Sequence, residues 1–211
     1  MKSNFYFIFS LLLWLIIIVG FSDNWLYDVG QESNSMPKFI IHGLLTFSWF
    51  SLLVIQTGLI KKKNINLHMS LGIAGMVIVT GLIISTGFIY VTGFLKRGYL
   101  APISQINIVS LIVFTIFIVL GFSYRKKNSA THKRFMLVGT LLIMMPAIDR
   151  FASKFFEELP LFLLPWFITY FILFGLLFWH DRKTFKKIKK QSWIALVLWF
   201  SDVVYLLISL K

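Results

Sequence analysis

Four histidines and no cysteine define the metal chemistry open to this chain: His42, His68, His132 and His180. A neutral imidazole is the commonest ligand for transition metals and binds haem iron. Two of the four share a pattern. Lys62-Lys63-Asn64-x-x-x-His68 is followed by Gly75, and Lys126-Lys127-Asn128-x-x-x-His132 is followed by Gly139, every position 64 residues apart. One reading places a b-type haem or a divalent metal between His68 and His132. A zinc-dependent hydrolase needs three ligands at one depth, and His68, His132 and His180 are the set that meets this, with Asp181 nearby. His180 also suits the negative end of a helix dipole, which needs no ligand.

Charged and amide side chains inside apolar runs form the second group. Asp202 stands in Trp199-Phe200-Ser201-Asp202-Val203-Val204, where a bare carboxylate costs several kcal/mol unless it is paired or protonated. Arg150, next to Asp149, is one candidate partner. Another is the stripe His42, Thr46, Trp49, Leu53 and Gln56, whose 4-3-4-3 spacing aligns the five on one helical face. In lipid such a stripe turns inward, and Gln56 and Thr46 can bond across a helix interface.

The elements that must position these residues are membrane helices. The 211 residues are 58% hydrophobic and 14% charged, with a mean hydropathy of +0.82, against about 25% charged in a soluble domain. Seven apolar runs approach the roughly 20 residues needed to span a bilayer: about 4–22, 38–60, 68–94, 104–124, 133–152, 159–180 and 192–210. The expected fold is all-α, a single transmembrane domain of seven helices. No small-x-small cleavage site precedes Asp23 and Asn24, so the first run reads as a retained helix. Fifteen of the 21 basic residues fall on one side of this arrangement, in Lys2, Lys61 to Lys63, Arg125 to Arg134 and Arg182 to Lys190. Lys and Arg in short loops stay cytoplasmic, which predicts the N-terminus inside and the C-terminus outside. Six of the eight acidic residues, Asp23, Asp28, Glu32, Asp149, Glu157 and Glu158, collect on the other side.

The net charge of +13 therefore sits in loops between spans, and nucleic acid is excluded as a partner. Residues 182–190 place Lys183, Lys186, Lys187 and Lys190 around Phe185 and Ile188, a spacing that suits anionic lipid headgroups. Pro146 and Pro165 each remove a backbone donor, so both of their helices are expected to kink and free a carbonyl. The 64-residue offset suggests a pseudo-repeat of 38–94 on 104–152. The chain has no Gly-rich phosphate loop, no HExxH helix and no nucleophile elbow.

The stretches Ile41-His42-Gly43-Leu44 through Gln56, Leu67-His68-Met69-Ser70-Leu71-Gly72 and Thr131-His132-Lys133-Arg134-Phe135-Met136 carry a resemblance. They are similar to a group of bacterial multi-pass membrane proteins with His-x-x-Leu-Gly and His-Lys-Arg-x-Met helix starts, across roughly residues 38–152. That resemblance implies a bacterial cytoplasmic membrane. The layout also resembles, more distantly, the transmembrane ascorbate-reducible cytochromes b, in which four successive helices bracket two haems. By that resemblance His68 and His132 would hold the cytoplasmic haem and His42 one side of the outer haem. The position 64 residues after His42 is Ile106, which leaves the outer haem without its second histidine. Four functions are thus open: a redox protein with haem or metal, a non-catalytic accessory or assembly factor for a larger membrane complex, a zinc-dependent membrane hydrolase, and a small transporter using Asp202 and the kinked helices.

Overall fold

The computed structural model describes residues 4–27, 30–155 and 163–209. Lys2, Asp28, Glu157, Glu158 and Lys211 lie outside them, and every element among the described residues is helical. Two compact units divide the chain, Met1–Tyr99 and Leu100–Lys211.

In the first unit, α1 (Phe5–Gly20) and the short α2 (Ser22–Trp25) lead through a 3-10 turn to α3 (Pro37–Lys61) and α4 (Ile65–Arg97). Pro37 starts α3, where its missing N–H costs nothing. Asn64 caps α4, its side chain accepting from Leu67 N–H at 3.2 Å. Because of that cap α4 begins three residues before the expected 68, and it runs on to Arg97. Gly98 closes it with φ +76°, a conformation that costs glycine no Cβ clash.

α3 and α4 form an antiparallel hairpin. They pack tightly at Gly75, where a Cβ would lie 2.6 Å from Leu52 Cδ2. α1 packs on α3 through polar contacts suited to lipid: Ser10 and Thr57 hydroxyls 2.8 Å apart, and Trp14 Nε1 donating to Ser51 Oγ at 2.9 Å.

The second unit holds α5 (Pro102–Tyr124), α6 (Ser129–Leu142), α7 (Met145–Ser153), α8 (Leu163–Phe185) and α9 (Lys190–Ser209). The α5–α6 hairpin is turned like α3–α4. Asn128 caps α6 by accepting from Thr131 N–H at 3.0 Å, and a Cβ on Gly139 would meet Phe117 Cβ at 2.9 Å. Asn64 and Asn128, and Gly75 and Gly139, thus do the same local work 64 residues apart. α6 is lodged deeply against its neighbours: Leu137, Val138 and Leu141 are almost wholly buried.

α3, α4, α5, α8 and α9 are long and apolar enough to cross a membrane, and α6 with α7 makes a sixth span if the bent pair counts as one. α1, expected as a full span, has 16 residues and rises about 24 Å at 1.5 Å per residue, short of the roughly 30 Å hydrocarbon core. Val77, Leu95 and Phe171 are each more than two-thirds exposed, a surface that lipid wets and water does not. The chain is a multi-pass helical membrane protein.

The two prolines sit in different settings. The expected run 133–152 is two helices bent by 51°. The break falls at Ile143 and Met144, with Pro146 in the first turn of α7, because Pro146 has no N–H for the Leu142 carbonyl four residues back. The kink expected at Pro165 falls on a turn that begins outside the described residues. Pro165 lies in the first described turn of α8, and α8 continues unbroken from there to Phe185.

Candidate functional site

The polar side chains of the second unit gather in two places. At its basic end, Arg134 of α6 is 1% exposed and Asp181 of α8 is 0% exposed, and the two form an ion pair. The other carboxylate oxygen of Asp181 accepts from Ser192 Oγ at 2.7 Å and from Lys189 N–H at 3.0 Å. This places a negative charge at the start of α9, the favourable end of its dipole, and ties α6, α8 and α9 together. Arg134 Nη2 also lies 3.1 Å from His180 Nδ1. Arginine only donates, so His180 accepts at Nδ1 and a neutral ring keeps its proton on Nε2. Neither nitrogen then offers a lone pair to a metal.

His132, two residues before Arg134, is different. Its Nδ1 lies 2.8 Å from the Gly121 carbonyl of α5, which accepts only, so Nδ1 carries the proton and Nε2 keeps its lone pair. His68 is half-buried in the first unit, one turn past the Asn64 cap. Among the described residues no three His, Asp or Glu side chains are arranged to hold a metal ion; of the expected set, His68 belongs to the first unit and His132 and His180 to the second.

The remaining histidine, His42, sits between α3 and α4. Its Nδ1 faces Ser85 Oγ at 3.4 Å and Thr86 Oγ1 at 3.3 Å, and its Nε2 faces Thr46 Oγ1 at 3.4 Å. Both ring nitrogens are engaged with hydroxyls. The rest of the stripe also turns into the first unit. Trp49 and Leu53 are buried, and Gln56 lies against Gly72, its amide shielded and without a hydrogen-bond partner among the described residues.

The second gathering is at the break between α6 and α7. A cleft there is lined by Leu141, Leu142, Met145, Tyr170, Phe174, Trp199 and Asp202, and a neighbouring one by Val109, Ser110, Val113, Leu142, Leu198 and Asp202. Each has room for about one water molecule. Asp202 borders both, and neither a hydrogen bond nor an ion pair reaches it from the described residues, so Arg150, one of its two candidate partners, does not pair with it. Trp199 is stacked on Trp166 at 5.8 Å and lies 5.1 Å from Tyr170. Trp166 Nε1 donates to Asp149 Oδ1 of α7 at 2.6 Å. Trp199 Nε1 is buried with no acceptor among the described residues.

Sequence reasoning singled out Asp202 and Asp149 but not the tyrosine and tryptophans beside them, and it counted Arg134 as a loop charge. Asp181 carried the one available signal, a carboxylate beside a run of six cations. No family model, curated protein or solved structure matches this chain.

Proposed function

We propose that the protein is a small multi-pass carrier that moves a small cation across the membrane it spans, with the broken α6–α7 span as its ion-handling element. One observation carries this reading: Leu142 and Met145, which flank the break at Ile143 and Met144, line clefts bordered by Asp202. Non-helical backbone at membrane depth is tolerated only where it is buried in protein or lines a cavity, and discontinuous helices supply ion sites through freed carbonyls and half-helix ends. Leu142, whose carbonyl has no Pro146 N–H to meet, lines the first cleft with the Asp202 carboxyl and the rings of Trp199, Tyr170 and Phe174, and carbonyls, carboxylates and aromatic faces are groups that attract a cation. In this reading α1 serves as a seventh span, the N-terminus and the basic turns lie in the cytoplasm, and residues 182–190 rest on anionic headgroups.

The test is cation uptake by liposomes carrying the purified protein, read with dyes for protons, sodium and potassium. Uptake that falls to the level of empty liposomes in Asp202→Asn supports the carrier. Uptake by wild type no faster than empty liposomes, for every cation, removes it.

A second reading is favoured by His132, whose Nδ1–H is fixed on the Gly121 carbonyl, which leaves the ring's lone pair on Nε2. Metal- and haem-binding histidines are oriented by such a bond. Haem iron or a metal ion on His132 would supply one-electron chemistry; the residues fit as far as this single ligand. A reduced-minus-oxidised absorption spectrum tests it: a haem band lost in His132→Ala supports the redox reading, and a flat spectrum from folded wild-type protein ends the haem form of it.

A further inference from the structure

Asp202 stands between the two clefts. Its neighbours one turn back on α9 divide between them: Trp199, three residues earlier, lines the first cleft, and Leu198, four residues earlier, lines the second. Side chains at those two spacings flank the patch that a helical residue covers, so the Asp202 carboxyl lies in the seam between them. On the Trp199 side the wall is Tyr170 and Phe174 of α8 with Met145 of α7, and on the Leu198 side it is Val109, Ser110 and Val113 of α5. Leu142, beside the break, belongs to both.

These walls discriminate among cations. Calcium takes six to eight oxygen ligands, magnesium demands a near-ideal octahedron, and potassium filters replace the hydration shell with rings of carbonyl oxygens. Besides the Asp202 carboxyl, the side chains of the first cleft bring one oxygen, the Tyr170 hydroxyl, and those of the second bring one, the Ser110 hydroxyl. Even with the Leu142 carbonyl added, the remaining side chains are Leu, Val, Met, Phe and Trp. Such a shell is too poor in oxygen to replace the water around a metal ion. A proton needs a single oxygen and arrives on a water molecule, of which each cleft has room for about one. The buried Trp199 N–H, without an acceptor among the described residues, is a donor that such a water would satisfy.

Charge balance leads to the same ion. No hydrogen bond or ion pair reaches the Asp202 carboxyl from the described residues, and no cationic side chain lines either cleft. A carboxylate at membrane depth without a counter-charge is costly, and a bound proton neutralises it. Tyr170 of α8 is the one other titratable group in the two linings, and α5 and α6 bring none to them. His132, Lys133 and Arg134 of α6 lie two turns or more from Leu142, and Asp181 of α8 is paired with Arg134. On α7, Asp149 accepts from the Trp166 N–H at 2.6 Å with Arg150 next to it, and on α9 the Tyr205 hydroxyl donates to Gln105 Oε1 at 2.7 Å.

We propose that Asp202 is a lone proton-binding carboxyl served by both clefts, taking a proton from water in one and releasing it to water in the other. The inference deepens the carrier reading and rests on it for transport, while the proton site is tested without transport. On loading, a hydronium ion gives its proton to the carboxylate: one O–H bond breaks on the ion and one forms on Asp202, leaving water and a neutral acid. Rotation about χ1 between staggered positions turns the acid from the Trp199 side to the Leu198 side. On release its O–H bond breaks and the proton passes to a water molecule there, so no oxidant or reactant besides water is needed.

The experiment is labelling of the lipid-embedded protein with dicyclohexylcarbodiimide, an apolar reagent that adds to protonated carboxyls, read by mass spectrometry of the peptide that holds Asp202. The proposal predicts an adduct on Asp202 that forms faster as pH falls, at one rate in sodium, potassium or choline chloride of equal ionic strength. Labelling slowed several-fold by sodium or potassium would place a metal ion on the carboxyl and overturn the proposal. Folded protein in which Asp202 takes no label overturns it as well. Ser110→Leu, or the smaller Ser110→Val should Leu disturb folding, fills the second cleft and leaves the first open: the label is expected to stay and proton uptake into liposomes to be lost. Uptake unchanged in that variant overturns the two-sided exchange. Salt-independent labelling in a wild type that moves no protons keeps the proton site and rejects the carrier. Sodium or potassium uptake that depends on Asp202 keeps the carrier and rejects the proton.

Discussion

Arg134 and Asp181 are joined across α6 and α8 with both side chains almost wholly out of contact with solvent. Breaking a buried pair by removing one partner leaves an uncompensated charge, at a cost of about 3–5 kcal/mol. Asp181→Asn and Arg134→Met are each expected to lower the thermal midpoint of the detergent-solubilised protein sharply. The double variant should recover part of the loss, since a pair replaced by neutral groups strands neither charge. Full additivity of the two changes would show that the residues do not depend on each other.

Ser192 gives a milder test of the same cluster. Ser192→Ala removes one of the hydrogen bonds on the Asp181 carboxylate, a charged acceptor, and is expected to cost about 1.5–3 kcal/mol. Thermal unfolding checks this. The control is Ser201→Ala, whose hydroxyl bonds only the Val197 carbonyl of its own helix and whose loss should change little.

The two hairpin turns make parallel predictions. Asn64→Ala and Asn128→Ala each delete a helix cap and should destabilise the protein by about 1 kcal/mol apiece. Gly139→Leu forces a large side chain into the place where Phe117 already stands; overpacking costs about 1–3 kcal/mol or more. The same change at Gly87, where a Cβ meets nothing within 4 Å, should be tolerated. Equal losses at both glycines in a thermal-shift assay would argue against the close α5–α6 approach.

Spans with a continuous apolar run were legible from sequence, because hydropathy and the cost of bare backbone in lipid leave the chain one choice. α3, α5 and α9 lie within two residues of expectation at their described ends. The bend near Pro146 was legible as well, since a missing N–H has one structural consequence. Pro165 carried the same signal, but the turn that precedes it lies outside the described residues. What pattern could not supply was pairing between distant segments. Arg134 and Asp181 each looked like a residue of a basic loop end, and only packing turns them inward toward one another. For the same reason Asp202 was recognisable as an intramembrane acid, while Tyr170 could not be assigned to its neighbourhood.

The most direct measurement is proton uptake into liposomes carrying the wild-type protein or Asp202→Asn, driven by an imposed membrane potential and followed with a trapped pH dye. The account predicts uptake by wild type above that of empty liposomes, and its loss in Asp202→Asn reconstituted to the same density and folded by its thermal midpoint. Wild-type uptake that survives unchanged in Asp202→Asn, or wild type that takes up neither protons nor sodium nor potassium in the same assay with the matching dyes, would contradict it.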